Sequence, residues 1–531
     1  MEEKLQPTLW ERTTTHRFLT WLFSARTLRR GLIALGWIVS LIALFYGVFN
    51  WWSRHAWNEY RQQYEARVAP LDWKAYIPKP IPDSDNFAAT PFARAWFTHN
   101  NDTNFLLNSD TYGRAADMIS NRAKPPHGRH YEKQPEDLVA WQKAFAVVAS
   151  HEPKPRDGFR TDQLDLASRA QAAPAVLDGL KNDAEAFDEL RAASARPDAR
   201  YPVVYNLDHP WTIFVPHLAK IKGTCLRLKL KACAELALGQ NEIALDDIKL
   251  MLYLADTLKT EPFLISYLVR NACVQIAVQP IWEGLAEHRW NDAQLAQLQG
   301  RLVPYDFLSD LQGSLHAERG EGLVVVNFLK KKGLSAAADF AGESVSATHG
   351  WEDAALAMLE LIAPSGWYDQ EKLHYCQNFD AGYHGSVDIE SKRAFPSQVA
   401  ANAIKSEPLA AEAGKWPAFF RREMVAALML PALTRLPCKA ASMQTATDQA
   451  AVACALERYR LANGQFPDSL QALVPSFIAH LPNDVITGDS FKYRRTDDGR
   501  FVLYSVGWNE KDDGGIPGKN MFDTSEGDWV W

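Results

Sequence analysis

Apolar positions recur at helical spacing along most of the chain, broken by short polar turns, but one stretch carries no polar face at all. From Gly31 to Ser53 none of the 23 residues is charged. A water-soluble helix would need a hydrophilic side. At ~1.5 Å per residue the run is long enough to cross roughly 30 Å of hydrocarbon. Trp21 precedes it, and Trp51, Trp52 and Trp57 follow it. Indole favours the headgroup layer, where its ring is sheltered and its N–H finds a partner. Residues 11–30 hold Arg12, Arg17, Arg26, Arg29 and Arg30, whereas residues 54–70 hold Arg54, Arg61 and Arg67. This arginine bias predicts a cytoplasmic N-terminal segment (1–30), a transmembrane helix (31–53) and everything later outside. A cleaved signal peptide would have a shorter apolar core followed by small residues. Here the bulky sequence FNWWSRHAW follows. The runs VVVNFL (from Val324) and MVAALMLPAL (around Leu430) are too short for a second span.

Residues 54–68 read as a polar helix rising off the membrane. Pro70, Pro78, Pro80 and Pro82 follow, so 54–90 is read as stalk and Pro-rich connector. A helical ectodomain is expected over 91–437. Its clearest part runs from Cys225 to Leu258. Leu226, Leu230, Cys233 and Ala237 share a face, Gly239-Gln240-Asn241 breaks the pattern, and Ala244, Leu245, Ile248, Met251, Leu252 and Ala255 resume it. Two antiparallel helices joined by a short turn are predicted. Ala234, Ala237, Gly239 and Ala244 resemble part of a tetratricopeptide repeat. With one copy visible, a repeat array and an ordinary bundle both remain open. Further helices are expected after Glu261-Pro262 and from Asn291-Asp292. Residues 333–350 read as a mobile loop, 362–384 as loop-rich and aromatic, and 408–433 as helix.

After Pro437 the pattern changes, and 438–531 reads as a small α+β module. A helix over 442–462, with Ala451, Cys454, Ala455, Tyr459 and Ala462 on one side, ends at Asn463-Gly464. Phe491 to Arg495 and Phe501 to Ser505 read as strands around the turn Thr496-Asp497-Asp498-Gly499. The run Tyr459, Asn463-Gly464-Gln465-Phe466-Pro467, Leu470, then Leu481-Pro482-Asn483-Asp484, Tyr504-Ser505-Val506-Gly507 and Asp512-Asp513-Gly514-Gly515 resembles the C-terminal domain of the type II secretion pseudopilin G. The match covers about residues 450–531. The remainder resembles large bacterial envelope proteins of no established activity. In a pseudopilin an anchor bearing an early Glu leads straight into this domain. Here the span has no Glu and lies about 390 residues upstream, so the tail reads as a borrowed module.

The pseudopilin resemblance implies calcium in the last loop, with Asn509, Asp512, Asp513, Asp523 and Asp528 as ligands. Such a site wants six to eight oxygens in a flexible loop. Asn509 stands where the family has Asp. Other constellations point nowhere specific. His127-Gly128-Arg129-His130 has two His in a Pro/Gly loop. Glu318, Arg319 and Glu321 read as surface or intrahelical ion pairs. No GxSxG, HExxH, Walker A or GxGxxG motif is found.

Composition adds boundaries to this picture. With 57 basic and 64 acidic residues the 531-residue chain carries −7, and apolar residues make up 47%, values of a folded protein rather than of a nucleic-acid binder. Cys225, Cys233, Cys273, Cys376, Cys438 and Cys454 form no CxxC pair and read as mostly free, buried thiols. The expected fold is mainly α: a single N-terminal transmembrane helix, a large helical ectodomain and a small C-terminal α+β module with a β-hairpin. The expected function is a non-catalytic scaffold in the inner membrane, with its ectodomain in the periplasm or outside the cell. Its partners would be the lipid bilayer and envelope proteins. Two alternatives are an extracytoplasmic hydrolase, with a site near Trp367, His374 and Cys376, and a component of a type II secretion-like system.

Overall fold

The computed structural model describes residues 13–22, 24–97, 128–150, 165–333, 336, 363–411, 421–519 and 523–531. His127 and nearly all of the loop expected over 333–350 lie outside these. Helix accounts for 65% and strand for 5%, so the chain is mainly α as expected.

A short helix, α1 (Thr14–Leu22), precedes the 43-residue α2 (Ala25–Arg67). Ser24 starts α2 by accepting a hydrogen bond from the Thr27 N–H. The most apolar window of α2 is 0% buried. It is therefore an N-terminal helix long and apolar enough to cross a bilayer. A second stretch, Met424–Asn463, also passes by composition, but 67% of its window is buried in the body. That marks it as a core helix.

The body contains α3 (Pro91–Ala95), α4 (Leu138–Ser150), α5 (Leu166–Gly179), α6 (Ala184–Ala193), α7 (Pro216–Ala237), α8 (Asn241–Asp256), α9 (Leu264–Ala286), α10 (Asp292–Leu302) and α11 (Phe307–Lys332). The predicted hairpin is α7–α8. It turns at Gly239, whose φ of +74° suits a residue without Cβ. α9 packs on both partners. α10 starts as expected, with Asn291 and Gln294 forming a reciprocal capping box.

After residue 363 come α12 (Gly366–Tyr383), α13 (Pro396–Ala411), α14 (Met424–Met429) and α15 (Leu436–Asn463). The 362–384 segment is therefore a helix rather than loop-rich. Its aromatic residues Trp367, Tyr375 and Phe379 pay for the backbone order by being buried. α15 begins six residues before the predicted 442. It is also buried nearly all round, not on one side, as far as Glu457. Its many alanines let neighbouring helices approach from every direction.

Among the described residues there are two sheets. β1 (Val387–Asp388) pairs with β2 (Arg393–Ala394). In the tail, β3 (Lys492–Arg495), β4 (Phe501–Ser505) and β5 (Trp529–Val530) form an antiparallel sheet in that order. The predicted hairpin is β3–β4, with Arg495 opposite Phe501. β5 is an addition, placing Trp529 opposite Ser505.

The tail shares its core with the body. One apolar cluster joins Leu228, Leu245, Val274 and Leu295 to Leu456, Phe491, Leu503 and Trp531. A second joins Trp57 and Val326 to Tyr375, Leu436, Trp508 and Trp529. α15 contributes to both. All six cysteines are free and buried.

Candidate functional site

The foot of α2 is where the body meets the apolar span. The polar helix read over 54–68 is the C-terminal part of α2, and it packs against the body. Trp57, Tyr60 and Tyr64 fall at i, i+3 and i+7, one stripe of a helix. Their rings follow one another at 6.2 and 5.9 Å. Ser53 and Trp57 are buried. Trp57 is thus a core residue, not a headgroup anchor, whereas Trp21, Trp37, Trp51 and Trp52 stay exposed on α1 and α2.

α12 runs beside α2 in the same direction. At the span end the Gly366 N–H donates to Asn50 Oδ1 at 2.6 Å. A Cβ on Gly366 would stand 2.9 Å from the Asn50 Cα and 3.0 Å from the Ser53 Cβ, so only glycine allows this approach. Further along, the Tyr60 hydroxyl donates to Asp380 Oδ2 at 2.7 Å.

α11 closes the junction, running the opposite way. Its Arg319 guanidinium sits 4.5 Å from the ring centres of both Tyr64 and Phe379. It pairs with Asp380. The expected pairing of Arg319 with Glu318 and Glu321 is corrected here: the partner lies 61 residues away on α12. Burial, with Glu321 close by, pushes Glu318 up to about 8, and burial lifts Glu321 to about 7. Sequence reasoning missed the clamp, although an aromatic stripe on an otherwise charged helix was the available signal.

Glu371 lies on α12, buried, and accepts the Val425 N–H at 2.7 Å at the start of α14. Burial raises its carboxyl from 4.5 to about 8. Between those values the folded state holds a proton that the unfolded chain releases. This contribution is complete below about pH 4.5 and declines as pH rises to about 8. The slope is roughly 1.4 kcal/mol per pH unit at most. Glu371→Gln is expected to flatten this decline in denaturant titrations at pH 5 to 8; an unchanged slope would contradict it.

The five tail residues do not converge on one point. Asn509 Nδ2 donates to Asp513 Oδ2 at 2.8 Å. Asp528, buried, accepts the N–H groups of Asp513 at 3.1 Å and Gly515 at 2.6 Å. Asp512 instead accepts from the Tyr504 hydroxyl at 3.0 Å, and Asp523 from the Ser525 N–H at 2.9 Å. Among the described residues no group of three or more His, Cys, Asp and Glu side chains is placed to hold a metal ion. Asn509, Asp513 and Asp528 share a loop whose oxygens already cap backbone N–H groups. The set fits a calcium shell only in part, and no chemistry is derived from it.

His374 and Cys376 also part company. His374 is half-buried, with Nδ1 at 2.8 Å from the Arg421 carbonyl. Cys376 is buried, and desolvation pushes its thiol up to about 12. Two positions apart on a helix they face different ways, and the thiolate form is suppressed. A separate trio links His217 Nε2 to Glu261 at 2.7 Å, with Ser266 donating to the same carboxylate. Here the acid is central. A nucleophilic triad needs the His between Ser and acid, so this is a buried structural network.

No protein-family model matches the chain, and no curated protein and no solved structure matches it. The likeness of the tail to pseudopilin G rests on the quoted residues alone.

Proposed function

We propose that this chain is a single-pass membrane scaffold, its N-terminus cytoplasmic and its body outside, seated against the bilayer and offering helical surfaces to envelope proteins. The supporting observation is the continuity of α2. One helix passes from an uncharged run whose most apolar window is unburied into an aromatic stripe packed on the body, without a hinge. Water would penalise about 20 exposed apolar residues heavily, and lipid removes that penalty. The arginine excess before the span sets the orientation. The hydrolase alternative loses the His374–Cys376 pair on which it leaned.

Alkaline extraction of membranes tests the span, and protease added to intact cells stripped of the outer envelope tests the side. The full chain is expected to stay in the pellet and to lose its body to external protease. Release into the supernatant, or a fully protected body, would overturn the reading.

A further inference from the structure

Beside the anchor–body junction lies a cavity of about 420 Å³, walled by α2, α11, α12 and residues 71–74 and 207–209. Its floor is apolar, from Trp57, Trp73 and Phe328. Its wall is cationic: Arg61, Lys74, Lys331, Lys332 and Lys372 face two carboxylates, Asp72 and Asp208. Glu65 beside Arg61 and Asp369 beside Lys372 leave an excess of one positive charge, and Lys330, 3.8 Å from Asp369, raises it to two. Arg61 is held by Glu65 at 3.0 Å and Lys331 leans on Asp208 at 3.4 Å. Lys74 and Lys332 have no ion-pair partner among the described residues. Lys372 lies 5.7 Å from the Trp57 ring centre. Burial lowers its pKa, and the nearby charges of Lys330 and Arg61 add to that, with Asp369 opposing.

The height of the cavity is set by α2. Trp57 and Arg61 stand about 6 and 12 Å beyond Ser53 along the helix. The headgroup layer is roughly 5–7 Å deep on each side of the hydrocarbon. α11 runs from Arg319, beside Tyr64, towards the span, where Lys330 approaches Asp369 at 3.8 Å. Its last residues, Lys330, Lys331 and Lys332, therefore gather at this level. Arg422, over the Phe49 ring at 5.2 Å, adds a cation at the end of the span.

We propose that this cavity holds the phosphate-bearing headgroup of an anionic phospholipid drawn from the adjoining leaflet. The phosphate meets the lysines, and the upper part of the lipid rests against Trp57 and Phe328. Phosphate oxygens suit ammonium donors, and each lysine near an anionic surface strengthens binding about fivefold. This rests on the membrane placement proposed above.

The full chain in neutral detergent, offered phosphatidylglycerol and phosphatidylcholine with matched tails, tests it by native mass spectrometry. The wild type is expected to retain phosphatidylglycerol preferentially. K74Q/K331Q/K332Q is expected to lose that preference by roughly fivefold per lysine, with unchanged thermal unfolding because all three side chains are exposed. Lys74→Gln alone is the fallback should the triple variant misfold. Equal retention of both lipids, or wild-type preference in the variants, overturns the proposal. Displacement of the lipid by millimolar inorganic phosphate would reassign the cavity to a soluble anion and also overturn it. A chain released by alkaline extraction removes both readings; an integrated chain without lipid preference removes only this one.

Discussion

Arg169→Met is expected to destabilise the body by about 3–5 kcal/mol, the cost of leaving a buried carboxylate unpaired. Arg169, on α5, reaches across to Glu283 and Glu287 at the end of α9. Side-chain exposure is 3% for Arg169 and 1% for Glu283, so no water replaces the lost partner. The damage spreads because Glu283 also accepts from the Glu136 N–H at 2.8 Å and from Gln279 at 2.8 Å. Glu136 in turn holds Lys229 at 2.6 Å and accepts from the Trp141 indole at 2.9 Å. One network thus ties residues 128–141, α5, α7 and α9 together. Adding Glu283→Gln should recover part of the loss, since it removes the orphaned charge. Denaturant unfolding of both variants measures this. A single-variant loss below about 1 kcal/mol would mean that water reaches the pair.

Arg319→Gln is expected to cost about 2–3 kcal/mol and to loosen α2 from the body. The estimate combines an ion pair to a half-exposed Asp380 with stacking on Tyr64 and Phe379. Burial alone cannot hold the junction as firmly, because Tyr60 and Tyr64 each keep one edge in water. Limited proteolysis of the full chain should then cut faster near Val68 and the Pro-rich connector, while the α7–α9 core keeps its resistance. Equal cutting rates in variant and wild type would show that the aromatic stripe suffices without the guanidinium. The cationic cavity shares α2, α11 and α12, so the same variant should also weaken its walls.

Much of the local structure was legible from spacing. The α7–α8 pair followed from apolar residues at helical intervals and a glycine where φ is positive. The Asn291 cap and the β3–β4 turn followed from side chains whose hydrogen-bonding habits are local. The segment 362–384 misled because its aromatic residues have no clear period; they became a helix when α2, α11 and α14 supplied surfaces to cover them. β5 was invisible because two residues carry no alternation, and its pairing depends on Ser505, more than 20 positions away. The five tail acids looked like one site in sequence. In the fold, each side chain found a nearer N–H or hydroxyl, and only Asn509, Asp513 and Asp528 remained together.

The sequence by itself determined an N-terminal apolar helix long enough to cross a bilayer. The apolar character of an uncharged run of 23 residues is a sum over residues that needs no knowledge of the fold. It equally determined the helical character of the body, since a 3.6-residue period is a local property. Only the tertiary structure decided where the body stands relative to that span. Gly366 against Asn50, Arg319 against Asp380 and Arg169 against Glu283 join positions 316, 61 and 114 residues apart. Charge pairing and close approach act over a few ångströms of space, so they leave no period along the chain. The same holds for the lysines around Trp57, which come from three separate segments and become a single cationic cavity only when α2, α11 and α12 are side by side.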